Sequence, residues 1–202
     1  MAKLLLVRHG KTKLHKADRF WGKTDITLSN VGIRQANRLR DRLVKEKIAA
    51  VYTSKLSRAL LTAQTIVSGQ NVAIKSYAEL NELNFGYVEG LTFREISRLH
   101  PELAEELVNW NPRPSFPGGE SLADLNTRVQ NFLKLLEKHK LRETVLIVAH
   151  AGPLRLIISN LLGIDIAFWR KIHLDLASLS IVETFPQGAI LRLLNDISHL
   201  KP

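Results

Sequence analysis

Leu4-Leu5-Leu6-Val7-Arg8-His9-Gly10 is the stretch that decides the fold. An uninterrupted apolar run suits a strand buried on both faces, as in a parallel sheet covered by helices. Here the run ends by delivering an arginine and a histidine into a glycine turn. Val145-Leu146-Ile147-Val148-Ala149-His150-Ala151-Gly152 repeats the pattern far downstream. In open α/β sheets ligands bind beyond the carboxyl ends of the strands, so the two histidines are expected at one rim. A guanidinium beside the first points to chemistry on an anion.

The rest of the chain alternates in the same sense. Ser29 or Asn30 caps a helix running to about Lys47, with Ala36, Leu39 and Leu43 on one face. A short strand over Ala49 to Tyr52, a helix from Ser57 to Val67 and an edge strand over Ala73 to Tyr77 follow. Phe93 to Leu99 and Leu103 to Trp110 read as short helices. Ser121, with Asp124 three residues on, opens a long helix striped by Leu122, Leu125, Val129, Phe132 and Leu136. A helix from Pro153 to Leu162 uses proline where a first turn tolerates it. Ser178 to Val182 and Ala189 to Leu194, joined through Pro186-Gln187-Gly188, form a hairpin. The fold class is therefore α/β: a three-layer α/β/α sandwich whose mostly parallel central sheet ends in an antiparallel edge strand. Residues 1–202 are read as one domain, with 79–120 as a lid-like insertion over the site.

Composition narrows the function classes. With 202 residues, 45% hydrophobic and 24% charged, the chain is an ordinary globular one. It has no cysteine, so disulfides, thiolate nucleophiles and cysteine-held metals are excluded. No stretch resembles a signal peptide or a membrane span, and the expected location is cytoplasmic. The net charge of +10 fits a solvated basic surface or attraction of anionic substrates. Its dispersal, with Asp41 and Glu46 among the basic residues of the first helix, argues against a nucleic-acid partner.

Phosphoryl transfer needs an in-line nucleophile, donors for the equatorial oxygens and an acid for the departing oxygen. His9 can be the nucleophile. Arg8 and Arg58, the latter just beyond another strand end, can clamp phosphate oxygens. His150 can donate to the phosphoryl group. The run from Glu79 to Gly90 offers Glu82 and Glu89 as proton donors, and spacing alone does not choose between them.

The order of motifs resembles the histidine phosphatase superfamily, the phosphoglycerate mutase-like family. The match runs through Leu6 to Thr12, Arg19-Phe20-Trp21-Gly22, Asp25 to Ser29, Gly32, Gln35-Ala36, Ser54 to Thr65, Glu82, Phe85-Gly86, Glu89-Gly90, Pro117 to Ser121 and His150. The resemblance implies a phosphoglycerate mutase-like fold and His9 as the phosphorylated residue. It selects Glu82 as proton donor and then base, with His150 as the third catalytic residue. Arg8, Arg58, His150, Thr12 and Ala151 become the phosphate side, and His15, Trp21, Gly22, Lys23 and Thr24 the leaving-group side. It implies no metal and no organic cofactor. His15 stands where many members carry asparagine, Lys11 replaces a commoner acidic residue or glutamine, and Ala151 replaces a frequent glycine.

Mutases of the family carry a longer basic insertion with paired arginines. Thr92 to Phe116 is short and holds Arg94, Arg98 and Arg113 without an adjacent pair, which favours water as acceptor. The expected function is a metal-independent phosphomonoesterase acting on a small phosphorylated metabolite. Phe85 to Gly90, Trp110 and Pro117 to Ser121 resemble the α-ribazole phosphatase branch and make α-ribazole 5′-phosphate a candidate. A cofactor-dependent phosphoglycerate mutase, a metal-independent phosphoserine phosphatase, and a catalytically weak phosphate-binding or nucleic-acid-binding module are the alternatives. The expected state is monomer or homodimer, with no membrane partner.

Overall fold

The computed structural model describes residues 2–14, 19–109, 111, 113–140 and 142–201. Its strands are β1 (Ala2–Arg8), β2 (Ile48–Ser54), β3 (Ile74–Tyr77), β4 (Glu143–Ala149), β5 (Leu179–Phe185) and β6 (Gly188–Asp196). They form one sheet in the order β3-β2-β4-β1-β5-β6. The first four strands in chain order are mutually parallel, and the closing hairpin adds β5 antiparallel to β1 and β6 antiparallel to β5.

Alternation along β1 serves two cores. Leu5 and Val7 join Leu146 and Val148 beneath α1 (Asn30–Leu43) and α2 (Ser57–Ile66). Leu4 and Leu6 join Val145 and Ile147 beneath α5 (Leu122–Leu136) and α6 (Ala151–Leu162). All eight residues are essentially inaccessible, which is why these strands read as unbroken apolar runs. The layers are those of the expected α/β/α sandwich.

Several boundaries differ from expectation, each for a local reason. Helix α1 ends at Leu43 rather than Lys47, because Leu43 is its last buried side chain and Val44 is 68% exposed. Strand β2 runs on past Tyr52 to Ser54, carried by pairing with both β3 and β4. Helix α6 begins at Ala151, which places Pro153 inside the first turn where its missing N–H is not needed. The capping box of Ser121 and Asp124 closes the start of α5 in both directions.

Residues 79–120 contain two 3-10 turns, Ala78–Leu80 and Gly86–Val88, then α3 (Phe93–Leu99) and α4 (Pro101–Val108). Pro101 at the start of α4 brings its beginning two residues ahead of Leu103. Leu80, Leu83, Val88, Ile96 and Leu107 are buried in the same core as α5 and α6. Among the described residues no helix is long and apolar enough to cross a membrane.

Candidate active site

Register puts the two histidines together. Arg8 on β1 pairs with Ala149 on β4, so His9 and His150 leave the sheet at the same level. The His9 amide donates to the Ala149 carbonyl at 3.0 Å. The two imidazole centroids are 4.9 Å apart. His9 Nδ1 lies 2.8 Å from the Gly10 carbonyl, which can only accept. In the neutral ring the proton therefore sits on Nδ1 and the nucleophilic lone pair on Nε2.

His150 is fully buried, and its ring is held on both sides. Nε2 is 2.7 Å from Ser54 Oγ, and Nδ1 is 3.2 Å from Arg58 Nε. A guanidinium only donates, so Nδ1 carries the lone pair and Nε2 donates to Ser54. Burial, then the charges of Arg58, His9 and Arg8, hold the His150 pKa well below the usual histidine value. The ring is neutral at neutral pH. Donating to a phosphoryl oxygen from Nδ1 would require the opposite tautomer, with the Ser54 hydroxyl donating to Nε2 and Arg58 Nε turned towards the ligand.

Arg58 stands on the first turn of α2, is 2% exposed, and fastens three parts of the rim. Besides Nε on His150, Nη1 donates to the Thr24 carbonyl at 2.8 Å and Nη2 to the Gly22 carbonyl at 2.6 Å. Among the described residues, two of its five N–H donors have no partner and remain for a ligand. Thr62, one helical turn on, accepts from the Gly10 amide at 3.2 Å and donates to the Arg58 carbonyl at 2.7 Å. Arg8 Nη1 donates to the Leu174 carbonyl at 2.6 Å, while its buried Nε has no partner among the described residues. Burial lowers the pKa of both guanidiniums, and Glu82 is the largest opposing influence. Such a pair of desolvated donors is suited to an oxyanion.

The two glutamates separate cleanly. Glu89 Oε1 accepts from the Gly22 and Thr24 amides at 2.9 and 2.8 Å, so Glu89 secures the loop that Arg58 holds. Glu82 lines a cavity of about 480 Å³ together with Arg8, Ala151 and Gly152. Its Oε1 accepts from the Leu83 and Gly152 amides at 2.9 and 3.1 Å. A Cβ at position 152 would collide with Glu82 Oε1, so only glycine permits that approach. Arg128 on α5 donates to the carbonyls of Glu79, Asn81 and Glu82 and pairs with Glu120 at 2.8 Å, which fixes the segment carrying the acid.

The remaining expected residues are distributed unevenly. Ala151 and Trp21 line the cavity. Thr12 is buried, with its backbone bridged to Leu28. Gly22 and Thr24 act through their backbones on Arg58 and Glu89, and Lys23 is exposed. His15 and Trp110 lie outside the described residues. Ser54, Arg128, Arg155 and Trp169 belong to the site or its frame without having been selected from the sequence. Ser54 stands at the end of a strand read two residues too short, and it opens one of the blocks that resemble the family, the two signals that could have found it. Among the described residues no three histidine, aspartate or glutamate side chains are grouped to hold a metal ion.

Comparison with known proteins identifies the family. A model of the histidine phosphatase superfamily (branch 1) matches residues 4–197. Phosphoserine phosphatase 1 of Hydrogenobacter thermophilus is 32% identical over 200 residues, covering 99% of this chain and 95% of that protein. The solved α-ribazole phosphatase of Shigella flexneri superposes with a TM-score of 0.88 at 29% identity, covering 96% of each chain. A phosphoserine phosphatase of Entamoeba histolytica, solved with phosphoserine, superposes with a TM-score of 0.83 at 27% identity over the whole of both chains.

Proposed function

The chain belongs to the histidine phosphatase superfamily (branch 1) and is a phosphatase-type enzyme, and we propose that it hydrolyses small phosphomonoesters through a phosphohistidine on His9. The observation that carries this reading is the cluster itself: His9 and His150 rings 4.9 Å apart, a buried Arg58 bonded to His150, a half-buried Arg8 next to His9, and the Glu82 carboxyl, which lines one cavity with Arg8. His9 Nε2 attacks phosphorus, forming the N–P bond as the ester P–O bond breaks. Arg8 and Arg58 hold the equatorial oxygens, and Glu82 gives its proton to the departing alkoxide. Water then enters, Glu82 takes its proton, and the N–P bond breaks to release phosphate and restore His9.

Water is the proposed acceptor because the segment 92–116 is short and brings no adjacent pair of arginines such as the mutases of the family carry. No protein group in these steps requires a metal or organic cofactor. The cytoplasm is the proposed location. The segment 79–120, which supplies Glu82, Leu83, Phe85 and Phe93 to the cavity wall, acts as its cover. α-Ribazole 5′-phosphate and phosphoserine are the candidate substrates, supported respectively by the Shigella flexneri and Hydrogenobacter thermophilus relatives.

Hydrolysis of p-nitrophenyl phosphate in the presence of a chelator tests the mechanism. His9→Ala is expected to lower kcat by about 10³-fold or more, and acid-labile phosphate is expected on the wild-type protein after rapid quenching. Undiminished turnover by His9→Ala, or a strict need for added metal, would overturn the reading.

A further inference from the structure

The cavity beside the phosphate cluster contains a cation that the steps above leave unused. Phe20, Trp21, Phe85 and Trp169 wall the cavity, and Arg8 and Glu82 also line it. Two more arginines reach it. Arg19 is already answered, donating to Glu95 Oε2 at 3.1 Å and to the Gly90 carbonyl at 2.6 Å. Arg155, one turn into α6, is not. Its Nε donates to the Ile172 carbonyl at 2.7 Å, and its guanidinium carbon stands 5.5 Å from the centre of the Trp169 ring. Neither Nη1 nor Nη2 has a hydrogen-bond partner among the described residues, and no acidic side chain there forms an ion pair with it.

A role as a brace for the turn over Ile166–Lys171 would account for Nε and for the indole contact, but not for the two open nitrogens. Those contacts hold one edge and one face of the guanidinium, and the side chain lines the cavity. A half-buried cation among aromatic walls is costly to leave unanswered, and the planar fork of arginine matches a carboxylate. One open positive charge with the Glu82 carboxyl in the same cavity suits a monoanion better than a second, dianionic phosphoryl group.

We propose that Arg155 anchors a carboxylate on the leaving group, so that the substrate is the phosphomonoester of a carboxylated alcohol or phenol. The inference rests on the phosphatase reading above, and it sets phosphoserine ahead of α-ribazole 5′-phosphate, whose leaving group has no carboxylate. Burial lowers the Arg155 pKa, with Glu82 opposing, yet an arginine keeps its charge throughout the working range.

Matched pairs test it. 3-Phosphoglycerate differs from glycerol 3-phosphate by a carboxylate in place of a hydroxymethyl group, and 3-carboxyphenyl phosphate differs from phenyl phosphate by a carboxylate alone. The wild type is expected to prefer the carboxylated member of each pair in kcat/KM by about tenfold to a hundredfold, the range of a charge-assisted contact. Arg155→Met is expected to bring both ratios to about one, and Arg155→Lys to leave an intermediate ratio. A ratio is unaffected by partial loss of folded protein. A wild-type ratio near one, or equal losses for both members in Arg155→Met, would overturn the anchor. Calorimetric binding of the same four compounds to His9→Ala protein reads the anchor without turnover, and equal or weaker binding of the carboxylated members also overturns it. Absence of His9-dependent hydrolysis of phenyl phosphate would instead sink the phosphatase reading alone.

Discussion

The phosphate end of the site and the leaving-group end are built on different principles. At the phosphate end, His9, Arg8, His150 and Arg58 sit at or just past the ends of buried strands or on the first turn of a helix. Every one of these side chains has a bond to the backbone or to another member of the group. At the leaving-group end, Phe20 and Trp21 come from a loop, Phe93 from a seven-residue helix, and Trp169 from a 3-10 turn. Phe93 is 40% exposed. The contrast teaches that the reacting group is held by the sheet, whereas the aromatic walls around the leaving group come from segments that can differ without disturbing it.

Arg58→Met attacks that division most strongly. The guanidinium holds His150, Gly22 and Thr24 together, so its loss removes a phosphate donor and the support of its neighbours at once. A fall in kcat/KM of about 10²- to 10³-fold is expected, of similar size for p-nitrophenyl phosphate and for alkyl phosphates. A loss that varied strongly with the leaving group would mean that the two ends are not separate.

Glu82 is where the ends meet, and its substitutions should behave oppositely. Glu82→Gln removes the proton donor, so alkyl phosphates are expected to lose about 10²-fold or more in kcat, and p-nitrophenyl phosphate, whose leaving group needs little protonation, far less. Gly152→Ala sharpens the point, because the added methyl would strike Glu82 Oε1 and displace the carboxyl without removing it. It should reproduce the same dependence on the leaving group in steady-state kinetics with a graded series of aryl and alkyl phosphates. A uniform loss across the series would assign the effect to α6 or to the phosphate end.

The same division decides what was legible in the sequence. A strand buried on both faces has to be a continuous apolar run, so Leu4 to Val7 and Val145 to Ala149 announced themselves, and the polar residues after them marked the rim. Arg8, His9 and His150 followed. Glu82 could not be separated from Glu89 by spacing, since the difference lies in long-range partners: the Gly22 and Thr24 amides claim Glu89. Family resemblance, not periodicity, selected Glu82. Arg155 was invisible because an arginine between Leu154 and Leu156 on a helix looks like any surface charge. Its partners, Trp169 and Ile172, come from a turn that only tertiary packing brings near. Helix ends erred by a few residues where burial stopped sooner than the polar sequence did, as at Leu43.

The smallest expected effect concerns stability, and it too belongs to one end only. His150 is neutral when folded because burial and the adjacent cations depress its pKa. In the unfolded chain it returns to about 6.5. Above that value both states are neutral and the full stability is present. As pH falls below it, the unfolded chain takes up the proton first, and stability declines until the folded pKa is reached. The slope is at most about 1.4 kcal/mol per pH unit for each such histidine. His199 is shifted in the same direction by its own burial, whereas the depressed carboxylates, Glu143, Asp175 and Asp196 among them, release their contribution only near and below about pH 4.5. Between about pH 6.5 and 4.5 both of these histidines therefore contribute to a decline in stability. Urea unfolding across that window should show a shallower pH dependence in His150→Gln than in the wild type. An unchanged slope would mean that the ring is not desolvated, and the rigidity attributed to the phosphate end would lose its electrostatic basis.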